Sequence, residues 1–306
     1  MFYGVRAMKV LFVGVFDWNR RSTNTSQLLS FKRAGVNVSG YDYRQKASLM
    51  GELKRDEHMR KTVREGNYDL VVYSKCNQVS YKTFADNSMH AKTCLWFMDP
   101  IGTYNTEMRK KTALVDYFCC DKENVLEEAL KINPNSFHVC EGFDSDVDKP
   151  QDVAKEYDVS FIGNIYGDRR KWINEIEKPV KIISSAYGKQ HAIEVCKSRI
   201  NLNFCTDSGA SDRVYKILAA GGFLLTNEWK NRKKHLTDGK ECVIFSNYQD
   251  LNNKIEYYLN NFDEAQEIAA NGLLASQKWN RVEWAKKIVE LYEKTNENAY
   301  SRTVDW

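Results

Sequence analysis

Residues 157–170 read Tyr157-Asp-Val-Ser-Phe-Ile162-Gly163-Asn164-Ile165-Tyr166-Gly167-Asp168-Arg169-Arg170. An apolar run, Tyr157–Ile162, has the length and residue types of a buried strand. It closes on Gly163 and Gly167, and a helical pattern over Arg169–Ile176 opens on two arginines. That strand–loop–helix step repeats downstream. Val180–Ser184, Ile200–Cys205, Gly222–Thr226 and Cys242–Phe245 read as strands. Gln190–Cys196, Arg213–Ala220, Leu251–Leu259, Glu264–Ser276 and Val282–Glu293 read as helices. Buried strands alternating with helices specify a parallel sheet covered on both faces.

Working toward the N-terminus, the same alternation fills the first half. Lys9–Val15, Val36–Tyr41, Asp69–Tyr73, Thr93–Met98, Tyr117–Cys120 and Phe137–Cys140 are the expected strands. Gln27–Ala34 and the charged stretch Met50–Glu65 are the expected helices. Between Glu141 and Lys155 the pattern breaks into a polar, acidic segment, which reads as the connection between domains. The expected fold class is therefore α/β: two Rossmann-like domains, 1–148 and 149–306, facing a central cleft, with the last helix packing back on the first domain. At 306 residues the chain has room for two domains. In such sheets ligands sit beyond the carboxyl ends of the strands.

Composition narrows the class. With 42% hydrophobic and 28% charged residues the chain can bury ordinary cores and is not of disordered type. No apolar run reaches the ~20 residues of a membrane-spanning helix. The stretch Met1–Lys9 is too short, and Val10–Phe16 too strand-like, for a signal peptide. Eight cysteines form no C-x-x-C pair, and most lie in strand-like runs, so reduced buried thiols are expected. A cytoplasmic protein is the expectation. The net charge of +4 does not by itself specify a nucleic-acid partner. Four basic clusters at loop positions, Arg20-Arg21, Arg109–Lys111, Arg169–Lys171 and Arg232–Lys234, read as solvated charge or as phosphate contacts.

Two loops have the parts to hold a diphosphate. At Gly163–Arg170 the glycines permit close approach of backbone N–H groups, the helix start adds partial positive charge, and Arg169 and Arg170 add forked donors. Asn164 lies in the same loop. A tight turn with solvated arginines would read the same way. The second loop, Asn203–Asp212, is small and hydroxyl-rich, and leads into a short helix through Ser211 or Asp212 as N-cap, with Arg213 beside it and Gly221-Gly222 at its end. Capping alone accounts for Ser211 and Asp212 equally well.

The run Arg213-Val-Tyr-Lys-Ile-Leu-Ala-Ala-Gly-Gly-Phe-Leu-Leu-Thr226 resembles the CgeB-like, spore-maturation type glycosyltransferases of GT-B fold. The likeness continues through Gly239–Phe245, Leu251 to Leu259, Ala269–Gly272, Asp158–Asn164 and Glu141–Asp144, with Trp96–Pro100 as weaker support in the first half. The resemblance implies that the second domain binds a nucleotide diphosphate sugar, with no prosthetic group. It implies that the helix after Asp212 faces phosphates and ribose. Gly163, Asn164, Arg169, Arg170, Ser211, Asp212, Arg213, Tyr215, Lys216 and Gly221 are the expected donor-binding residues. Relatives often carry Glu near the position of Lys216; a lysine cannot accept ribose hydroxyls but can meet a phosphate. No metal is expected. Asp144-Ser145-Asp146 has the form of a metal-binding pair but falls in the acidic linker.

Transfer builds positive charge at the anomeric carbon and negative charge on the leaving phosphate. Arg169, Arg170, Arg213 and Lys216 are candidates to meet the latter. An inverting reaction would use a base, for which Asp17, Asp99 and, more weakly, His90 are candidates; a retaining one, which the resemblance implies, needs none. On the acceptor side the loop Phe16–Thr25 offers Trp18, Arg20 and Arg21. It reads as a polar loop or as a grip on an anionic acceptor. DNA with a hydroxymethylated, flipped base is one such acceptor; a glycan, protein or small molecule is another. A nicotinamide oxidoreductase is disfavoured because Gly14-Val15-Phe16-Asp17 is not G-x-G-x-x-G. A non-catalytic nucleotide-sugar binding module is the remaining alternative.

Overall fold

β1 (Lys9–Gly14) is almost entirely buried, and its side chains alternate between two cores, as the period of a strand requires. Leu11 and Val13 join one, Val10 and Phe12 the other. In the computed structural model, which describes residues 8–205 and 209–301, the chain divides into two units, one of 1–140 with 281–306 and one of 141–280. Residues 141–148, expected in the first domain, thus fall in the second unit, and the last helix falls in the first.

In the first unit β1 is followed by α1 (Thr23–Arg33), β2 (Asn37–Asp42), α2 (Tyr43–Met50), α3 (Glu52–Gly66), β3 (Leu70–Ser74), α4 (Tyr81–Ser88), β4 (Lys92–Phe97), α5 (Thr106–Leu114), β5 (Tyr117–Cys120), α6 (Glu123–Leu130) and β6 (Ser136–His138). The six strands run parallel in the order β2-β1-β3-β4-β5-β6. Both faces are covered, so β3, β4 and β5 read as continuous apolar runs.

The second unit holds β7 (Tyr157–Ile162), α7 (Asp168–Asn174), β8 (Val180–Ile183), α8 (Lys189–Lys197), β9 (Ser198–Asn203), α9 (Asp212–Ala219), β10 (Leu224–Asn227), β11 (Val243–Phe245), α10 (Tyr248–Asn260) and α11 (Phe262–Ser276). Its parallel order is β11-β10-β9-β7-β8. One core packs Val159, Phe161, Ile200, Leu202 and Leu225 against Leu251, Ile255 and Ile268. In both sheets the second strand in chain order lies on one side of the first and the third on the other. The crevices where ligands collect are therefore between β1 and β3, and between β7 and β9.

α12 (Arg281–Ser301) belongs to the first unit. Trp284, Ala285, Ile288 and Leu291, spaced along one helical face, enter the core with Phe12, Phe31 and Trp96. The Trp284 ring lies 5.1 Å from Phe31 and 5.5 Å from Trp96.

Three details differ from the expected elements. Met50–Glu65 is two helices, because Gly51 sits at φ +82°, where the chain turns between α2 and α3. α4, α5 and α6 were not anticipated, since each spans fewer than ten residues. In two of the basic clusters one residue is not solvated charge. Lys111 is fully buried and donates to the Cys76 and Asn77 carbonyls, both at 2.9 Å, and to Glu107 at 2.5 Å. Arg232 is buried against Glu228 and the Leu236 carbonyl. The cysteines are thiols, seven of them buried and Cys140 half-buried.

Candidate functional site

The switch point of the second sheet is built around Arg213, in the first turn of α9. Its Nε donates to the Ile162 carbonyl at the end of β7 (2.6 Å), and its Nη1 to Asn203 Oδ1 at the end of β9 (2.9 Å). The guanidinium also lies 4.7 Å from the centre of the Phe161 ring. One side chain therefore joins the two strands whose separation makes the crevice. Hydrogen bonds from a charged donor contribute about 1.5–3 kcal/mol each. Burial, with help from the nearby Arg169 charge, pushes the Arg213 pKa down to about 10. The group stays charged at neutral pH.

Gly163 has φ +143°, and a Cβ there would fall 2.5 Å from Arg213 Nη2. The neighbour is the tip of a side chain, but one held by two hydrogen bonds, so it cannot yield without breaking them. Gly163 N–H is itself bonded to the Ile183 carbonyl of β8 (2.8 Å). In the same loop Arg169 Nη1 donates to the Asn164 carbonyl (3.2 Å), and its guanidinium stacks 4.3 Å from the Tyr166 ring centre. Arg170 is exposed. The glycine loop and the α9 start thus meet as one basic seat.

Ser211 occupies the N-cap position of α9, but its own side chain does not cap that helix. The Ser211 hydroxyl instead donates to Asn203 Oδ1 (3.2 Å). The expectation of a side-chain cap is corrected: Asn203, a buried amide, draws the hydroxyl away from the helix N–H groups. Lys216 Nζ pairs with Asp212 Oδ2 at 2.5 Å, one helical turn apart. Thr206, Asp207 and Ser208, which belong to this loop, lie outside the described residues.

Two of the expected residues are elsewhere. Tyr215 is buried and packs 5.2 Å from the Trp279 ring, on a different face of α9 from Arg213. Gly221 lies beyond the far end of α9, eight residues from Arg213, or about 12 Å along a helix axis.

Two residues of the seat escaped sequence reasoning. Asn203 receives both Ser211 and Arg213 and donates to Thr226 Oγ1 (3.1 Å). Its signal was a polar residue ending an apolar strand. His191, in the first turn of α8, is buried with Nδ1 lacking a hydrogen-bond partner. Burial pushes its pKa down to about 3, Lys216 and Arg213 adding to the effect against Asp212. It is a neutral imidazole. The third strand–Gly–helix junction, ending at Gly188, was its only trace in the sequence.

In the first unit, Asp17 Oδ1 accepts from the Arg20 N–H (3.0 Å), and the Asp17 N–H donates to the Ser22 hydroxyl (3.2 Å). The Asp17 carboxylate therefore shapes its own loop. Trp18 is 58% exposed, which makes it the exposed aromatic of that loop, and Arg21 takes φ +52°. Asp99, after β4, has both oxygens engaged by Lys75 Nζ, at 3.0 and 2.9 Å. Lys75 and Cys76 are consecutive non-glycine residues at φ +59° and +55°, a strained turn held by Lys111. His90 precedes β4, at the amino edge of the sheet, away from these groups.

The Asp144 carboxylate accepts the Asp146 N–H (3.1 Å), and the Asp148 carboxylate accepts the Asp144 N–H (2.8 Å). Asp144 and Asp148 are buried in this turn and their carboxylates accept its own N–H groups, while Asp146 is exposed. Among the described residues no helix is long and apolar enough to cross a membrane.

Residues 151–290 match the glycosyl transferase-like family. No curated protein matches the chain. Solved structures match nearly all of it, three of them as follows. Anabaena HepE in complex with UDP-glucose has a TM-score of 0.63 and 10% identity over 96% of this chain and 100% of that one. A glycosyltransferase from Rickettsia africae gives 0.67 and 10%, over 96% and 100%. Sucrose-phosphate synthase from Thermosynechococcus elongatus gives 0.68 and 10%, over 95% and 100%. At such identities the likeness is one of fold, the GT-B architecture of two parallel-sheet α/β domains. Residues 151–290 thus match the glycosyl transferase-like family, within a chain whose fold is of the GT-B type.

Proposed function

We propose that the chain transfers a glycosyl group from a nucleotide diphosphate sugar to an acceptor hydroxyl, in the manner of the CgeB-like enzymes it resembles. The observation that carries this reading is the pair Arg213 and Arg169 at the β7–β9 switch point, beside Gly163 and the start of α9, where Ser211 turns its hydroxyl to Asn203. Charge there is fixed before any ligand arrives. Such preorganised donors stabilise a leaving diphosphate without reorganisation. The fold neighbour HepE forms a complex with UDP-glucose, which makes a UDP-sugar the first donor to test.

The proposed reaction is metal-independent, since the two arginines and the α9 start supply the neutralising charge, and retaining, so that no dedicated base is required. Lys216, paired with Asp212 on α9, is proposed to exchange that carboxylate for a phosphate oxygen. The proposed acceptor lies on the side of the Asp17–Arg21 loop of the first domain. A DNA acceptor rests on the exposed Trp18 and the basic pair Arg20-Arg21; in the basic cluster Arg109–Lys111, Lys111 is buried and does not face an acceptor.

The deciding experiment measures binding and turnover of UDP-glucose, other UDP-sugars and GDP-sugars by calorimetry and sugar release, with and without EDTA. Saturable binding of one donor, and EDTA-resistant turnover, is the expected result. A donor that binds without turnover on any acceptor would make the chain a binding module. Loss with EDTA, restored by Mg²⁺ or Mn²⁺, overturns metal independence. Plain and hydroxymethylated DNA, digested and weighed by mass spectrometry, test the DNA acceptor; a sugar-sized gain on the modified base alone supports it, and no gain removes it.

A further inference from the structure

At the opposite edge of the second sheet from the arginine seat lies a cavity of about 330 Å³ that neither the donor reading nor the family match uses. It is bounded by the segment Pro150–Lys155, the C-terminal ends of α8 and α9, the start of β10, and α11. The apolar wall is Ala220, Phe223, Ala265, Ala269 and Leu273. This is the small end of the range for ligand sites, which are mostly apolar with a few placed polar groups.

The polar groups here are of one sign. Lys155 and Arg199 both line the cavity, and no Asp or Glu does. Lys155 Nζ donates to the Ser198 carbonyl at 2.8 Å. Arg199 donates to the Leu259 carbonyl (2.8 Å) and to Asp158 (3.2 Å), a carboxylate 62% exposed that faces water rather than the cavity, and stacks 4.5 Å from the Phe262 ring centre. Burial draws the Lys155 pKa below its ordinary value, and the Arg199 charge adds to this.

The cavity is also held open by its frame. The Cys196 thiol donates to the Ala220 carbonyl (3.3 Å) and accepts the Gln151 N–H (3.3 Å), which ties α8, the end of α9 and the crossing segment together. Gly221, at φ +72°, lets the chain turn under Pro150, whose Cγ would lie 3.6 Å from a Cβ there. Two cations over an apolar, preformed hollow suit one kind of guest.

We propose that this pocket binds a small organic anion, an apolar body carrying one carboxylate or phosphate headgroup, with the headgroup between Lys155 and Arg199 and the body against Ala220, Ala265 and Ala269. Such a ligand touches the far end of α9, the helix whose first turn carries Arg213. The site is independent of the donor reading.

The test is calorimetry on the full chain with three probes kept below their micelle concentrations: octanoate, octyl phosphate and octanol. Octanoate or octyl phosphate should bind saturably, the two arms separating a carboxylate from a phosphate headgroup, and octanol at least tenfold more weakly. Lys155→Gln, which removes the charge and keeps a polar side chain, should weaken anion binding at least fivefold. Ala270→Trp, which fills the mouth from an exposed position, should abolish it with little change in Tm. Binding of neither anion up to several millimolar overturns the proposal, as does equal binding of octanol. Anion binding unaltered in both variants would place the site elsewhere and overturns it too.

Discussion

Asn203 Oδ1 lies 2.9 Å from Arg213 Nη1 and 3.2 Å from the Ser211 hydroxyl, so one buried amide positions both the cation and the hydroxyl at the start of α9. Arg213 is then a structural group and, on the proposed reading, a donor-binding one as well. Arg213→Ala should lower donor affinity at least tenfold, ~1.4 kcal/mol, and should also lower stability. It removes the Arg213 donor from the Ile162 carbonyl and leaves Asn203 Oδ1 with the Ser211 hydroxyl; a buried group left unsatisfied costs about 1–3 kcal/mol. Asn203→Leu should lower affinity as well, though it touches no ligand itself. Calorimetry with UDP and thermal unfolding check both. Undiminished affinity in Arg213→Ala would move the seat elsewhere.

Gly163→Ala tests the packing of the loop on the guanidinium. The added methyl must displace Arg213 Nη2, and φ +143° is hostile to any side chain. A loss of more than ~1 kcal/mol is expected from backbone incompatibility alone, accompanied by weaker UDP binding. Wild-type Tm and affinity would contradict the geometry described for this loop.

His191 should make stability depend on pH. Its folded pKa, about 3, lies below the ordinary 6.5, so the unfolded chain binds the proton more readily. The contribution is complete above pH 6.5 and is lost as pH falls toward 3, at up to ~1.4 kcal/mol per pH unit. His191→Gln should flatten this part of the curve. Denaturant melts between pH 4 and 7 read it directly; equal slopes in the two proteins would show that His191 is not responsible.

Lys75 and Asp99 are expected to act as a unit at the carboxyl edge of the first sheet. Each single change, Lys75→Met or Asp99→Asn, should reduce turnover at least tenfold, and the double variant should fall no further, since contacting residues are not additive. The pair is about a third exposed, so the stability cost of either change should stay within ~1 kcal/mol. Independent, multiplying effects on kcat would separate the two roles.

Lys111→Met should destabilise the first unit by ~2 kcal/mol or more, by removing the donor to two buried carbonyls at a strained turn. Thermal unfolding measures it. A neutral outcome would mean that the Lys75-Cys76 turn holds itself.

The sequence by itself determined the architecture. Strand periodicity does not depend on context when both faces of a sheet are covered, so runs such as Leu70–Ser74 and Tyr157–Ile162 announce themselves. The strand–glycine–arginine step at Gly163–Arg170 was legible for the same reason, as a local pattern with a local cause. Only the tertiary structure decided which charges gather at the strand ends and which are buried. Arg109-Lys110-Lys111 and Arg169-Arg170-Lys171 look alike in sequence, yet Lys111 is buried on carbonyls while Arg169 lies with Arg213 beside Gly163. Likewise Tyr215 and Gly221 sit near Arg213 in the chain, but helix rotation and rise carry them to another face and to the far end. Asn203 and His191 were invisible because their roles depend on partners 10 to 25 residues away along the chain. Burial and long-range pairing set the charge and direction of a side chain, and neither is written in its neighbours.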